Sequence, residues 1–395
     1  MRKRRVFSII ILIFICCCLP KQGKALSGDI WVHDPSTINK DGNNYWAFTS
    51  GNGINAISST DLYNWSRGKE VFQGGKWPSW INTYVPNFIG YFWAPDVFYL
   101  NGKYYLYYAC STLGSSTSTI GVATSPTLNQ SSPDYKWTDL GMVVSSSSVR
   151  DVNAIDPSVF KDTNGKVYLT YGSYFNGIGI IELNPSTGKV KAGARIKRIA
   201  GGSSSSFEAS CLIKEGNYYY LFVNRARCCQ GQYSTYYIVT GRSLSPTGPF
   251  FDKNGINLRG SGSTAGGTTV LVTSGRYRAP GQLGLLRDNG RSIISTHYYD
   301  GNYYGESKLD IADLHFTEDG WPIISRDLIT AGRYKITNKN SNMVWEASGC
   351  TGQEGAQLIQ NNDYNFTPCQ SWDLTPVGDG YYKISNETRN ESVDL

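Results

Sequence analysis

One phrase recurs along this chain: two short aromatic strands joined by a glycine turn. It reads DGNNYWAFTS (41–50), NGKYYLYYAC (101–110), TNGKVYLTYGS (163–173) and EGNYYYLFVN (215–224), with a weaker fifth copy, DNGRSIISTHYY (288–299). The turn glycines Gly42, Gly102, Gly165, Gly216 and Gly290 are 60, 63, 51 and 74 residues apart. A unit of this size is one small sheet with two apolar faces, and it buries them only by stacking on its neighbours. Five copies of about four strands each predict an all-β chain built as a five-bladed β-propeller. No stretch reads as a long amphipathic helix, and 43 glycines with Ser-rich turns support the same class.

Acidic motifs sit just upstream of the turns. HDPS puts Asp34 8 residues before Gly42, WAPD puts Asp96 6 before Gly102, AIDPS puts Asp156 9 before Gly165, and FEAS puts Glu208 8 before Gly216. The fifth copy has APGQ there, with Gly281 9 residues before Gly290 and no acid. Radially arranged units would bring these carboxylates to one centre, and convergent carboxylates are what acid/base hydrolysis requires.

Asp-Pro at Asp34-Pro35 and Asp156-Pro157 is by itself a turn signal. Both pairs lie in apolar contexts, IWVHDPS and NAIDPSVF, where a strand is expected. An unpaired carboxylate buried there would be costly, which favours a functional role. Glu208 opens the apolar run AxCLI and reads as the inward-facing start of a strand. Phe207 beside it would help raise its pKa by desolvation, which suits a general acid. Trp93 offers an aromatic face beside Asp96, and sugars present apolar C–H faces to such rings. Substrate contacts are expected from Trp93, Asp96, Asn153, Ser173 and Phe207. His297 occupies the fifth repeat, where the acid is missing, and is the candidate metal ligand. His33 reads as an orienting or packing neighbour of Asp34, and His315 is assigned no role.

Residues 1–25 read as a secretory signal: a basic start from Arg2 to Arg5, an apolar core from Val6 to Leu19, and a small-residue site at Gly23-Lys24-Ala25. That core is short of the ~20 residues a bilayer span needs, and no later stretch is long enough, so no membrane partner is expected. The formal charge of +6 comes from the six basic residues of this segment, so the remainder is near neutral and a nucleic-acid partner has no support. Cys16, Cys17 and Cys18 leave with the signal, and six cysteines remain. An even number in an exported chain permits disulfides, and Cys350 is expected to pair with Cys369. Vicinal Cys228-Cys229 lacks the CxxC or His company of a zinc site and reads as a structural loop or disulfide. Five Asn-x-Ser/Thr sequons, at Asn64, Asn129, Asn365, Asn386 and Asn390, are compatible with a glycoprotein.

Three parts follow: the signal (1–25), the repeat domain (26–326) and a C-terminal piece (327–395). In the last, GRYKITN (332–338) and DGYYKISN (379–386) are one phrase, so a second small repeat begins near Gly380 and is unfinished at Leu395.

HDPS, WAPD, AIDPS, FEAS, the RCCQG–STYYIVTGRS run and THYYDG closely resemble the arabinanase branch of glycoside hydrolase family 43, over about residues 29–324. The resemblance implies a five-bladed propeller and hydrolysis with inversion of α-1,5-linked L-arabinan, a component of plant cell-wall pectin. It implies Asp34 as general base, Asp156 as the carboxylate that tunes and orients, and Glu208 as general acid. It also implies His297 as ligand of a central calcium or sodium ion otherwise held by waters. Two motifs depart from the family: Pro280-Gly281-Gln282 stands where PGH is usual, and Ser111-Thr112-Leu113-Gly114 where an aromatic is frequent. Residues 332–395 resemble a ricin-type β-trefoil lectin unit, on Gln370-Ser371-Trp372 and the YKI repeat, with Glu346 where Asp is common; only one repeat and part of a second are present. The expectation is a secreted, monomeric glycosidase. Related activities on the same propeller are α-L-arabinofuranosidase, β-xylosidase and galactanase. A non-catalytic lectin is the rival from another class, opposed by the intact Asp34, Asp156 and Glu208.

Overall fold

The computed structural model describes residues 26–326, 332–338, 340–351, 353–365, 367–378, 381–388 and 393. The signal segment 1–25, the linker positions 327–331, Gly380 and Asn390 lie outside the described residues. Among the described residues the chain is all-β, with one single-turn helix, Ile81–Tyr84, and a few short 3-10 turns.

Each aromatic phrase is a hairpin at the heart of one sheet. The five hairpins pair Asn39–Asp41 with Asn44–Thr49, Tyr91–Leu100 with Lys103–Cys110, and Ser158–Lys161 with Val167–Tyr171. The last two pair Glu208–Glu215 with Tyr218–Arg225, and Tyr277–Asp288 with Arg291–Asp300. Each grows by further strands into a sheet of four or five, all antiparallel except Ser27–Gly28, which pairs parallel with Asn64–Arg67 at the edge of the first sheet. All five turn glycines have positive φ, from 53° to 85°, and a Cβ there would meet nothing. Backbone conformation, not space, therefore calls for glycine at these turns.

The strands read as nearly continuous apolar runs because both faces of each sheet are covered. In Lys103–Cys110, Tyr104, Leu106 and Tyr108 enter the core shared with the first sheet, while Tyr105 and Tyr107 enter the core shared with the third. Tyr219, Leu221 and Val223 likewise face the third sheet, and Tyr220 and Phe222 the fifth. The fifth core joins Ile293 and Leu309 of the last sheet to Val32, Ile38 and Tyr45 of the first. Five sheets thus share five cores, and the series closes on itself.

Closure is stitched by hydrogen bonds between the chain's beginning and its fifth sheet. Leu309 N–H donates to Ile30 O at 2.7 Å, and Ser295 Oγ donates to Ser36 O at 3.0 Å. Gly284 allows the approach, since a Cβ on it would lie 2.6 Å from the Cα of Thr37.

The C-terminal piece has a three-stranded sheet, Gly332–Tyr334, Trp372–Gly378 and Tyr381–Asn386, and a two-stranded one, Val344–Ala347 with Leu358–Asn361. Cys350 and Cys369 are bridged, as expected. Trp372 is core, with Nε1–H donating to Trp345 O at 3.0 Å. The two copies of the YKI phrase both pair with the strand Trp372–Gly378.

Candidate active site

Where a sheet's first strand begins, the chain turns through the left-handed region. Asp34 (φ 48°), Ala94 (38°), Asp156 (55°), Ala209 (51°) and Ala279 (46°) do so, one for each sheet. Such non-glycine conformations carry strain and concentrate at functional sites. This corrects one expectation: Asp34 and Asp156 are not in strands but in bends just ahead of them. Glu208 does open its strand, as anticipated.

A cleft of about 1120 Å³ collects His33, Asp34, Trp93, Asn153, Asp156, Ser173 and Glu208. Gln282, from the acid-free fifth copy, lines the same cleft. The structure therefore brings together most of the residues singled out from the sequence, from all five sheets.

Two anticipated contacts are corrected. Asp96 does not line the cleft: its Oδ1 accepts the N–H of Thr37 at 3.1 Å and its Oδ2 that of Val159 at 3.1 Å. It ties the first and third sheets to the second, because a carboxylate with two lone-pair-bearing oxygens can satisfy backbone donors on both sides. Burial raises its pKa, against the opposing pull of those N–H groups. Phe207 is likewise absent from the cleft. It is 1% exposed, packs in the core between the third and fourth sheets, and carries Arg225 over its ring.

The three remaining acids are held differently. Asp34 Oδ2 lies 2.8 Å from His33 Nδ1 and accepts the hydroxyl of Ser50 at 2.7 Å. Burial alone would raise its pKa, but the charge and hydrogen bond of His33, with His297 and Ser50, hold it well below the usual carboxylate range. Glu208, 7% exposed, accepts Ser173 Oγ at Oε2 (2.6 Å) and the phenol of Tyr236 at Oε1. Burial pushes its pKa up to about 7, aided by the charge of Asp34, while the Ser173 and Tyr236 bonds oppose the rise. Asp156 accepts the N–H of Ala209 at 3.1 Å. Its pKa is raised too, first by burial and then by the charges of Glu208 and Asp34. One carboxylate is thus kept ionised beside two that favour a proton.

His297 is 1% exposed, and its ring stacks on His33 with centroids 4.1 Å apart. Burial, then the neighbouring His33, lowers its pKa to about 3, so the ring is neutral. Its Nδ1 lies 3.4 Å from Asp34 Oδ1, and its Nε2 is buried with no hydrogen-bond partner among the described residues. Its Nδ1 also accepts the N–H of Asp34 at 3.2 Å, so a cation at Nε2 would require the ring proton on Nδ1 in place of that bond. His33, Asp34 and His297 form the one such cluster among the described residues, with ligand atoms within 4.8 Å of one another. These residues fit a cation.

Sequence reasoning did not single out Ser50, Tyr236 and Tyr299. Hydroxyls near a site become visible only once the chain is folded, although Tyr236 lies inside the STYYIVTGRS run. Cys228 and Cys229 form a vicinal disulfide on the cleft wall, in keeping with the structural reading of that pair.

Carboxylates of opposite protonation preference in one cleft define a class, the glycoside hydrolases. Residues 29–322 match the sequence profile of glycosyl hydrolases family 43, and residues 319–395 that of the ricin-type beta-trefoil lectin domain-like family. The extracellular endo-α-(1→5)-L-arabinanase 1 of Bacillus subtilis (strain 168) is 37% identical over 74% of this chain and 87% of its own length. The extracellular exo-α-(1→5)-L-arabinofuranosidase ArbA of Cellvibrio japonicus (strain Ueda107) is 34% identical over 79% of this chain and 90% of its own. A solved structure of the Cellvibrio cellulosa α-L-arabinanase complexed with arabinohexaose superposes with a TM-score of 0.70 at 34% identity, over 75% of this chain and 96% of that one. The chain belongs to glycosyl hydrolases family 43, and it carries a ricin-type lectin-like C-terminal unit.

Proposed function

We propose that this protein is a secreted, inverting glycosidase that cleaves α-1,5-linked L-arabinan, with Asp34 as general base, Glu208 as general acid and Asp156 as the carboxylate that tunes and orients them. The observation that carries the reading is the split protonation of carboxylates in one cleft, Asp34 held low and Glu208 raised to about 7. Ionised Asp34 takes a proton from the attacking water, and protonated Glu208 gives one to the departing glycosidic oxygen. Inversion needs room for that water, so the two carboxyl groups should stand roughly 6.5–9.5 Å apart in a substrate complex. Relatives named for endo- and exo-acting enzymes on α-(1→5)-L-arabinan support the substrate, and two named as extracellular support secretion.

In the same reading the five closed sheets are the blades of a five-bladed β-propeller spanning 26–326, and 327–395 is a partial β-trefoil lectin unit. His297 would hold a calcium or sodium ion, with water completing the shell of a hard cation. The ion would favour the ionised form of nearby carboxylates. The protein acts as a monomer.

Product analysis by thin-layer chromatography on debranched arabinan, arabinoxylan and galactan tests the reading. Arabino-oligosaccharides or arabinose from debranched arabinan alone are expected. Turnover of arabinoxylan or galactan in its place would move the assignment to an α-L-arabinofuranosidase, β-xylosidase or galactanase, and no turnover of any would favour a lectin.

A further inference from the structure

The vicinal disulfide Cys228–Cys229 sits where the supports of the two catalytic arms meet. Its loop is closed on itself by Thr235 N–H donating to Arg227 O at 2.8 Å and Gln230 N–H donating to Ser234 Oγ at 3.0 Å. It is tied to the third sheet by Tyr174, whose hydroxyl donates to Ala226 O at 2.6 Å. Cys229 takes the left-handed conformation (φ 64°), and its N–H donates to the phenol oxygen of Tyr299 at 2.7 Å. That phenol lies 2.7 Å from His33 Nε2, and His33 Nδ1 lies 2.8 Å from Asp34 Oδ2. The contacts form one continuous chain: Cys229 N–H donates to the Tyr299 oxygen, that oxygen meets His33 Nε2, and His33 Nδ1–H donates to Asp34.

The other arm starts from the same place. Tyr236, Ala279 and Tyr299 form a small buried cluster, and Cys228 packs against it. Tyr236 is the residue whose hydroxyl donates to Glu208 Oε1. One half of the disulfide therefore packs on the cluster that holds both tyrosines, and the other half donates to one of them.

We infer that the Cys228–Cys229 disulfide is a positioning element that fixes Tyr299 and Tyr236, and through them the orientations of Asp34 and Glu208. Bonding adjacent cysteines locks the intervening peptide, so the Cys229 N–H is presented in one direction. Chemistry depends steeply on such orientation, since small misplacements of reacting groups cost large factors in rate. The inference rests on the acid and base roles proposed above for Glu208 and Asp34.

The test is a kinetic cycle on the full chain with a soluble arabino-oligosaccharide and an activated aryl arabinofuranoside. Tyr299→Phe keeps the ring and removes the hydroxyl, and kcat should fall roughly tenfold on both substrates with KM unchanged. Tyr236→Phe should lower kcat on the oligosaccharide and spare the aryl substrate, which needs no proton on departure. The double variant Cys228→Ala/Cys229→Ala should reproduce both losses, and adding Tyr299→Phe to it should cost little more, because residues of one unit are not additive. Three results would each overturn the inference: a cysteine variant altered in KM alone, which would make the disulfide a sugar contact; fully additive losses; or folded tyrosine variants with wild-type kcat. If the cysteine variant does not fold, the two tyrosine variants decide. Failure of the functional reading shows separately, as wild-type protein without turnover or as Asp34→Ala with full activity.

Discussion

The hydroxyl of Ser173 donates to Oε2 of Glu208 at 2.6 Å, across the point where the third and fourth sheets touch. This bond favours the charged form of Glu208 and so opposes the rise to about 7 that burial produces. A general acid works while protonated, so kcat/KM should fall as pH rises through about 7. Removing the Ser173 hydroxyl takes away a bond to the carboxylate, so Ser173→Ala should move this alkaline limb to higher pH. Asp34, held low, should keep the acid limb below the ordinary carboxylate range. A pH profile of both proteins reads the shift, and a downward move in the variant would contradict the sign.

Glu208→Ala should cripple substrates with poor leaving groups and largely spare activated aryl glycosides, because only the former need a proton on departure. Asp34→Ala should abolish both activities, since the attacking water loses its base. Equal losses on both substrates in both variants would remove the role assignment.

Asp96→Ala is expected to act on stability. It leaves the N–H groups of Thr37 and Val159 without their acceptor at a sheet junction. The cost should be roughly 2–6 kcal/mol, at about 1–3 for each of the two buried donors left unpaired. Denaturant melts should show the loss, while KM of the folded fraction stays at the wild-type value. A changed KM at unchanged stability would return Asp96 to the substrate contacts.

If His297 holds a cation, exhaustive chelation should lower the melting temperature and the activity, and added calcium or sodium should restore both. His297→Ala should show the low values from the start and no response to chelator. Full activity and an unchanged melt after metal removal, confirmed by elemental analysis, would exclude the ion.

Deleting residues 327–395 should leave turnover of short soluble arabino-oligosaccharides nearly unchanged and weaken binding to insoluble cell-wall material. The piece has little core of its own, and small units often need staples. Its Cys350–Cys369 bridge should contribute about 3 kcal/mol by restricting the unfolded chain. A folded truncation that loses oligosaccharide turnover would show that the tail shapes the cleft.

Much of this was legible in the sequence because the fold is repetitive. Five glycine turns in register fixed the hairpins, and doubly apolar strands such as KYYLYYAC announced sheets buried on both faces. Asp34, Asp156 and Glu208 stood out because acids are expensive in apolar runs. The same logic misplaced Asp96 and Phe207. A carboxylate that satisfies two backbone donors looks in sequence like one that meets a substrate, and Phe207, just ahead of the strand that Glu208 opens, turns into the core while Glu208 lines the cleft, since successive side chains of an extended chain alternate. Ser50, Tyr236 and Tyr299 were silent because their partners lie 16 to 266 residues away and no local spacing encodes them.

The seam between residues 29–37 and the fifth sheet has a consequence for timing. Asp34 emerges among the first residues of the described chain, yet His297, which receives its N–H at 3.2 Å, is made more than 260 residues later. The same holds for Tyr299, the partner of His33. If Asp34 is the general base, a nascent chain that has delivered only four sheets holds that carboxylate without the partners that orient it, and the last hairpin completes the site.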